Sequence, residues 1–123
     1  MQKKRILVID DEPAFTSLLK SHLEESGAYE VREVHRGEQA LDAASAFKPD
    51  LILLDVIMPH IDGAQVAVQF KTDETFREIP LVFLTAVVSK EEVEERTGRI
   101  GGHPFIAKPA TPEEVMVVIA QYL

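Results

Sequence analysis

Residues 6–12 read Ile6-Leu7-Val8-Ile9-Asp10-Asp11-Glu12, an apolar run that ends abruptly in three acids. A short run that is apolar at every position is typical of a strand buried on both faces of a parallel sheet. The run is too short for an export signal or a membrane span, although Lys3, Lys4 and Arg5 precede it. We therefore interpret it as the first strand of a helix-covered sheet.

The rest of the chain alternates between strand and helix patterns. Further apolar runs lie at Leu51–Leu54, Leu81–Leu84 and Phe105–Ala107, whereas Tyr29–Val34 alternates and is typical of a strand at a sheet edge. Helical stripes begin near Pro13, Ala40, Ala64, Ser89 and Thr111. Five strand–helix repeats predict a flavodoxin-like (βα)5 doubly wound parallel sheet, in the α/β class, with strand order 2-1-3-4-5.

Composition narrows the class of protein. The chain has 123 residues, of which 46% are hydrophobic, and its net charge is −8. This acidic balance argues against nucleic-acid binding, which depends on Lys and Arg at phosphates, and the absence of cysteine excludes disulfides and thiolate metal sites. We expect a single domain over residues 1–123 with no output domain, a cytoplasmic location, and no direct contact with nucleic acid or membrane.

Polar residues follow the predicted strands at their carboxyl ends. The first strand is followed by Asp10 and Asp11, the third by Asp55, the fourth by Thr85 and the fifth by Lys108. In doubly wound sheets the functional site lies beyond the carboxyl ends of the strands, at the switch point between the first and third strands. We therefore expect three carboxylates, a hydroxyl and an ammonium on one rim.

These residue types suit a metal-assisted reaction of a phosphoryl group. Three neighbouring carboxylates repel one another, so a pKa should rise unless a cation neutralises them. A hard ion such as Mg²⁺ binds a few carboxylates together with water and phosphate oxygens. Lysine and hydroxyl groups can hold the remaining phosphoryl oxygens, and a carboxylate can attack phosphorus to form an acyl phosphate.

Four blocks of the chain resemble the signature blocks of the receiver domains of two-component response regulators, including chemotaxis receivers. They are Val8-Ile9-Asp10-Asp11-Glu12, Leu53-Leu54-Asp55-Val56-Ile57-Met58-Pro59, Leu84-Thr85-Ala86 and Lys108-Pro109. The resemblance spans nearly the whole chain, with the blocks in the right order and at the right strand ends.

The resemblance implies that Asp55 accepts a phosphoryl group from a sensor histidine kinase or a histidine phosphotransfer protein. It also implies a Mg²⁺ cofactor, with Mn²⁺ as a substitute. Asp11, Asp55 and the backbone carbonyl of Ile57 would bind the ion, and Asp10 would act directly or through water. Such a protein is a phosphorelay switch, not a turnover enzyme, because it transfers and hydrolyses only its own phosphoryl group.

The same resemblance implies how the signal leaves the site. Lys108 would bind phosphoryl oxygens, and its bond to Pro109 would be cis. Thr85 would move toward the phosphate and Phe105 would turn inward, changing a surface of the fourth helix, fifth strand and fifth helix. That surface would control an unidentified downstream protein, with the chain either a monomer or a phosphorylation-dependent dimer.

Two positions in the family tune hydrolysis of the acyl phosphate, namely those two residues past the acceptor and two past the switch threonine. Here they are Ile57 and Val87, both apolar. Neither side chain can orient an attacking water, and both could shield the phosphate. We therefore expect slow self-dephosphorylation.

Other classes of protein share this topology, and two of them lack support in this sequence. A phosphatase of the haloacid-dehalogenase type needs a second aspartate two residues after the nucleophile, where this chain has Ile57. A flavin- or nucleotide-binding module would need a glycine-rich loop after the first strand, where Asp10 and Asp11 would repel phosphate. The alternative that the sequence leaves open is a receiver-like docking module that acts without phosphate.

Overall fold

The computed structural model of the protein describes residues 2–59, 61–86, 99–100 and 103–123, the side chains at 99 and 100 excepted. Strands and helices alternate along these residues. The strands are β1 (Lys4–Ile9), β2 (Tyr29–Val34), β3 (Leu51–Asp55), β4 (Ile57–Met58), β5 (Ile61–Asp62), β6 (Leu81–Thr85), β7 (Arg99–Ile100) and β8 (His103–Ala107). The helices are α1 (Pro13–Glu25), α2 (Ala40–Phe47), α3 (Gly63–Thr72) and α4 (Pro112–Tyr122), and a 3₁₀ turn (Gly37–Gln39) precedes α2.

The main sheet has the order β2-β1-β3-β6-β8-β7. Its first five strands are parallel, and they confirm the predicted order 2-1-3-4-5. Because the chain adds β2 on one side of β1 and β3 on the other, the switch point lies between β1 and β3, as expected. The sixth strand, β7, is antiparallel to β8 and was not predicted. A second unpredicted hairpin, β4–β5, follows β3 directly.

Each central strand contributes side chains to two apolar clusters, one on each face of the sheet. Ile6 and Val8 of β1 pack with Leu19 of α1, whereas Leu7 and Ile9 join the cluster that contains Phe70 of α3. Since successive side chains of a strand point to opposite faces, a strand with helices on both sides must be apolar at every position. This explains the continuous apolar runs in the sequence.

The edge position of β2 is confirmed, because β1 is the one strand of the described residues that pairs with it. Its burial alternates in part, with Val31 and Val34 buried and Glu30 and Arg32 exposed. An edge strand has fewer neighbours to cover it, so it keeps polar side chains that central strands exclude. The strand predicted at Phe105–Ala107 begins two residues earlier, because the segment before Phe105 pairs with β7.

Local signals set most helix boundaries as predicted. Helix α1 begins at Pro13 and ends two residues before Gly27, whose φ of 81° suits glycine. Helix α4 begins with a capping box in which Thr111 and Glu114 bond each other's backbone N–H groups. The helix predicted to start near Ser89 lies outside the described residues. None of the described helices has both the length and the apolar character needed to cross a bilayer.

Phe70 should be critical for stability, because its side chain is fully buried and its ring meets that of Phe76 edge to face at 5.5 Å. We expect Phe70→Ala to lower the free energy of unfolding by about 3–5 kcal/mol, through lost burial and the cavity left behind. Val68→Ala is the matched control on the same helix, since Val68 is 60% exposed; it should change stability by less than about 0.5 kcal/mol. Urea unfolding followed by circular dichroism measures both, and equal effects would contradict this packing.

Candidate functional site

The polar residues predicted to meet at one rim do so. Asp10 follows β1, Asp55 ends β3 and Thr85 ends β6, and all three are buried, with exposed fractions of 0%, 4% and 1%. Since β1, β3 and β6 are adjacent and parallel, their carboxyl ends lie along the same edge of the sheet. Residues up to 75 positions apart in the chain are thereby brought into one site.

Lys108 places an ammonium group between two of these carboxylates. Its Nζ lies 2.6 Å from Oδ2 of Asp10 and 3.6 Å from Oδ2 of Asp55, and its side chain is only 10% exposed. The backbone N–H of Lys108 donates to the carbonyl of Thr85 at 2.8 Å. The bond from Lys108 to Pro109 is cis, as expected. The position of the lysine is therefore fixed by both its backbone and its side chain.

The two oxygens of Asp55 have different surroundings. Oδ1 accepts the backbone N–H of Ile57 at 3.1 Å, while Oδ2 is the oxygen closer to Lys108. The loop after Asp55 is held close to the start of α3, where the N–H of Gly63 donates to the carbonyl of Val56 at 2.9 Å. A Cβ at Gly63 would clash with the backbone of Asp55 and Val56, so this approach requires glycine.

Burial and charge shift the pKa values of the site. Burial, and next the charge of Asp10, raise the pKa of Asp55 to about 6, against the opposing effect of Lys108. Burial also raises the pKa of Asp10. For Lys108 burial acts to lower the pKa, but the hydrogen bond to Asp10 and the neighbouring carboxylates raise it overall. The lysine therefore stays charged, and one ammonium does not fully neutralise the carboxylates around it.

The donor atoms suit a hard cation. Asp10, Asp11, Glu12 and Asp55 each offer a carboxylate oxygen, and these oxygens lie within 4.8 Å of one another. Oxygen donors at this density, in a site with excess negative charge, are the chemistry that Mg²⁺ and similar ions prefer. The acidic group could therefore hold a metal.

Two residues of the site were not predicted to act there. Glu12 was given no role in the site, yet its Oε1 lies 3.2 Å from Nζ of Lys108 and its N–H donates to Oδ1 of Asp10 at 3.0 Å. The sequence did carry a signal for Glu12, namely a third acid directly after the first strand. The ring of Phe15 lies 4.8 Å from Nζ of Lys108, within range of a cation–π contact. No sequence signal indicated this contact.

The remaining predicted residues lie around this rim. Ile57 is 59% exposed and lies two residues after Asp55. Phe105 is partly buried and packs against the apolar cluster on the α2–α3 face. Val87 lies outside the described residues, so its place relative to Asp55 stays a prediction.

Known proteins resemble this chain in sequence and structure. The profile of the family described as "Response regulator receiver domain" matches residues 6–120. The alkaline phosphatase synthesis transcriptional regulatory protein PhoP of Bacillus subtilis is 41% identical over 113 residues, which are 91% of this chain and 45% of that protein. The chain therefore spans less than half of that relative.

Two further similarities extend over nearly the full length of both chains. The polar-differentiation response regulator DivK of Brucella ovis is 34% identical over 120 residues, which are 98% of this chain and 96% of that protein. The structure of chemotaxis protein CheY4 of Vibrio cholerae superposes with a TM-score of 0.85 at 25% identity, covering 99% of this chain and all of that one. Together with the family match and the strand order, these similarities show that the chain belongs to the response regulator receiver domain family.

Proposed function

We propose that the protein is a phosphorelay switch in which Asp55 accepts a phosphoryl group from a phosphohistidine of a sensor kinase or a phosphotransfer protein. The observation that carries this proposal is the position of Lys108. Its ammonium contacts Asp10 and lies 3.6 Å from Asp55, at the buried carboxyl ends of β1 and β3. A charged lysine beside a buried carboxylate can stabilise the negative oxygens of an arriving phosphoryl group.

The chemistry requires an ionised acceptor. A carboxylate oxygen of Asp55 attacks phosphorus, the bond from phosphorus to the imidazole nitrogen breaks, and its electron pair returns to the imidazole. With a pKa of about 6, Asp55 is mostly ionised at neutral pH. The hydrogen bond from the N–H of Ile57 orients the carboxylate, and Lys108 holds phosphoryl oxygens as charge develops.

The acidic group would hold Mg²⁺, or Mn²⁺ in its place. Asp11, Asp55 and the carbonyl of Ile57 would bind it directly, and Asp10 directly or through water, with Glu12 nearby in the same group. The ion supplies positive charge that neutralises the carboxylates and the phosphoryl oxygens together. We expect no reaction beyond transfer and hydrolysis of the protein's own phosphoryl group.

Signal output would follow from Thr85 and Phe105. Thr85 is buried at the end of β6, next to β3, and Phe105 lies on the neighbouring strand β8. Movement of Thr85 toward a phosphate would let Phe105 turn inward and alter the surface of β8, α4 and the segment predicted as the fourth helix. We place the protein in the cytoplasm, where this surface would bind a downstream protein.

Asp55→Asn should abolish phosphoryl uptake, because an amide cannot form the acyl phosphate. The test is incubation with acetyl phosphate and Mg²⁺, with intact-mass measurement of the phosphorylated fraction. Asp42→Asn makes the same change in charge on the exposed surface of α2 and should leave uptake unchanged. Equal uptake by wild type and Asp55→Asn would exclude Asp55 as acceptor. No uptake by the wild type would favour the phosphate-independent docking module.

Stability should depend on pH through Asp55. Its pKa rises from 3.8 to about 6 on folding, so the folded state binds the proton more tightly and stability falls as pH rises between these values. Above about pH 6.5 in metal-free buffer we expect Asp55→Asn to be more stable than wild type, by up to roughly 3 kcal/mol. The difference should disappear below about pH 3.8 and should not occur in Asp42→Asn. Urea unfolding across this range measures it, and a gain that is constant with pH would contradict the shifted pKa.

The acyl phosphate should be long-lived, because the exposed side chain at position 57 is apolar. Ile57→Asn would supply an amide that can orient water, so we expect loss of phosphate to become severalfold faster. Val68→Asn is the matched control, since Val68 is equally exposed but lies on α3. Decay is followed by intact mass after removal of acetyl phosphate in the presence of Mg²⁺. A wild-type lifetime of only seconds, or equal decay in Ile57→Asn, would refute the shielding role.

A further inference from the structure

The outer edge of β2 carries backbone N–H and C=O groups that face away from the sheet. The carbonyls of Ala28 and Val34 accept N–H groups from residues 4 and 10 on the β1 side. In a parallel strand the backbone groups of alternate residues point the same way. Tyr29, Val31 and Glu33 therefore direct their N–H and C=O groups away from the sheet, where a further strand could pair.

A groove gives access to this edge. It has a volume of about 380 Å³ and runs along residues 30–33, with Lys20 and Glu24 of α1 on one side and Phe47 of α2 on the other. Because four consecutive residues of β2 line this groove, an extended chain placed in it would run beside the backbone of β2. Strand addition of this kind obtains affinity from main-chain hydrogen bonds and specificity from alternate side chains.

The charged side chains of β2 indicate that a second copy of this chain could bind at the edge. Glu30 and Arg32 are both exposed and flank Val31 symmetrically. If a second β2 lay antiparallel to the first about Val31, each Glu30 would face Arg32 of the other copy. Opposite charges placed directly across strands are stabilising, and the arrangement is self-complementary, as a twofold interface requires. Within the part of the chain that the structure describes, the ion pair of Glu30 is with the exposed Arg5 at 3.3 Å, so its carboxylate can be shared.

Glu24 occupies the centre of this edge. Its Oε2 accepts the outward N–H of Val31 at 3.0 Å, which is the hydrogen bond that pairing about Val31 would need. In a dimer the two Glu24 carboxylates would also approach each other near the twofold axis. Glu24 therefore opposes strand pairing in two ways. Its carboxylate already accepts the N–H of Val31, and it would repel the Glu24 carboxylate of the second copy.

We propose that the outer edge of β2 is a docking strand for a second copy of this chain, paired antiparallel about Val31, and that Glu24 restrains it. In the dimer Val31 pairs with Val31, and Tyr29 pairs with Glu33 of the second copy. The sheets of the two copies then become continuous. The surface is separate from the Asp55 site, so the proposal does not depend on phosphorylation.

Sedimentation equilibrium of the full, unphosphorylated chain in metal-free buffer tests this proposal. We expect Glu24→Ala to raise the association constant about tenfold or more, because a charge-assisted hydrogen bond no longer competes for Val31. Glu24→Gln should have a smaller effect, since its amide oxygen can still accept the N–H. Glu25→Ala removes an adjacent exposed carboxylate of α1 and should leave association unchanged.

Charge reversal identifies the interface. In the Glu24→Ala background, Arg32→Glu should abolish the dimer, because like charges would then face each other. Adding Glu30→Arg should restore it by exchanging the two signs. The amide NMR signals of Tyr29, Val31 and Glu33 should shift with protein concentration.

Monomeric Glu24→Ala up to about 1 mM would overturn the proposal, as would a dimer that is insensitive to Arg32→Glu. If Glu24→Ala fails to fold by circular dichroism, Glu24→Gln with the same charge reversals decides the question. Association of Glu24→Gln that matches wild type would then refute the restraint.

Discussion

The contact of the Lys108 ammonium with Asp10, and its approach to Asp55, is the interaction on which the functional part of this structure depends. Two buried carboxylates at adjacent strand ends would repel each other and would each lose hydration energy. One buried lysine offsets part of that cost, and its own charge is retained because the carboxylates raise its pKa. The compensation is incomplete, since the pKa of Asp55 stays near 6. That deficit of positive charge is what makes the site receptive to a cation.

The parallel sheet supplies the constraint that holds this group together. The strands β1, β3 and β6 lead to Asp10, Asp55 and Thr85. They bury apolar side chains on both faces of the sheet and cannot slide without exposing them. The position of their last residues is therefore set by the whole core, and no single loop determines it. Gly63 extends this control to the loop after Asp55, because a larger residue there would push α3 away from the end of β3. Stability and site geometry thus come from the same packing.

The backbone groups at the two edges of the main sheet are covered in different ways. On one side β7 pairs antiparallel with β8, which covers the backbone groups of β8. On the other side β2 keeps an outward-facing edge, and Glu24 satisfies its central N–H. Edge strands usually carry such protection, because unpaired backbone groups invite association. Protection by a single side chain is easier to reverse than protection by a paired strand, so the β2 edge is suited to controlled contact with a second chain.

The sequence by itself determined the class of fold, the order of the main strands and which polar residues meet at one rim of the sheet. Apolar periodicity and capping residues are local, and parallel strands must place Asp10, Asp55, Thr85 and Lys108 along one edge. Only the tertiary structure decided that Glu12 and Phe15 contact Lys108, that the pKa of Asp55 rises to about 6, and that a hairpin lengthens the sheet. These features depend on distances between atoms remote in the chain and on how much water the core excludes. Neither the distances nor the exclusion of water can be predicted from a local sequence pattern.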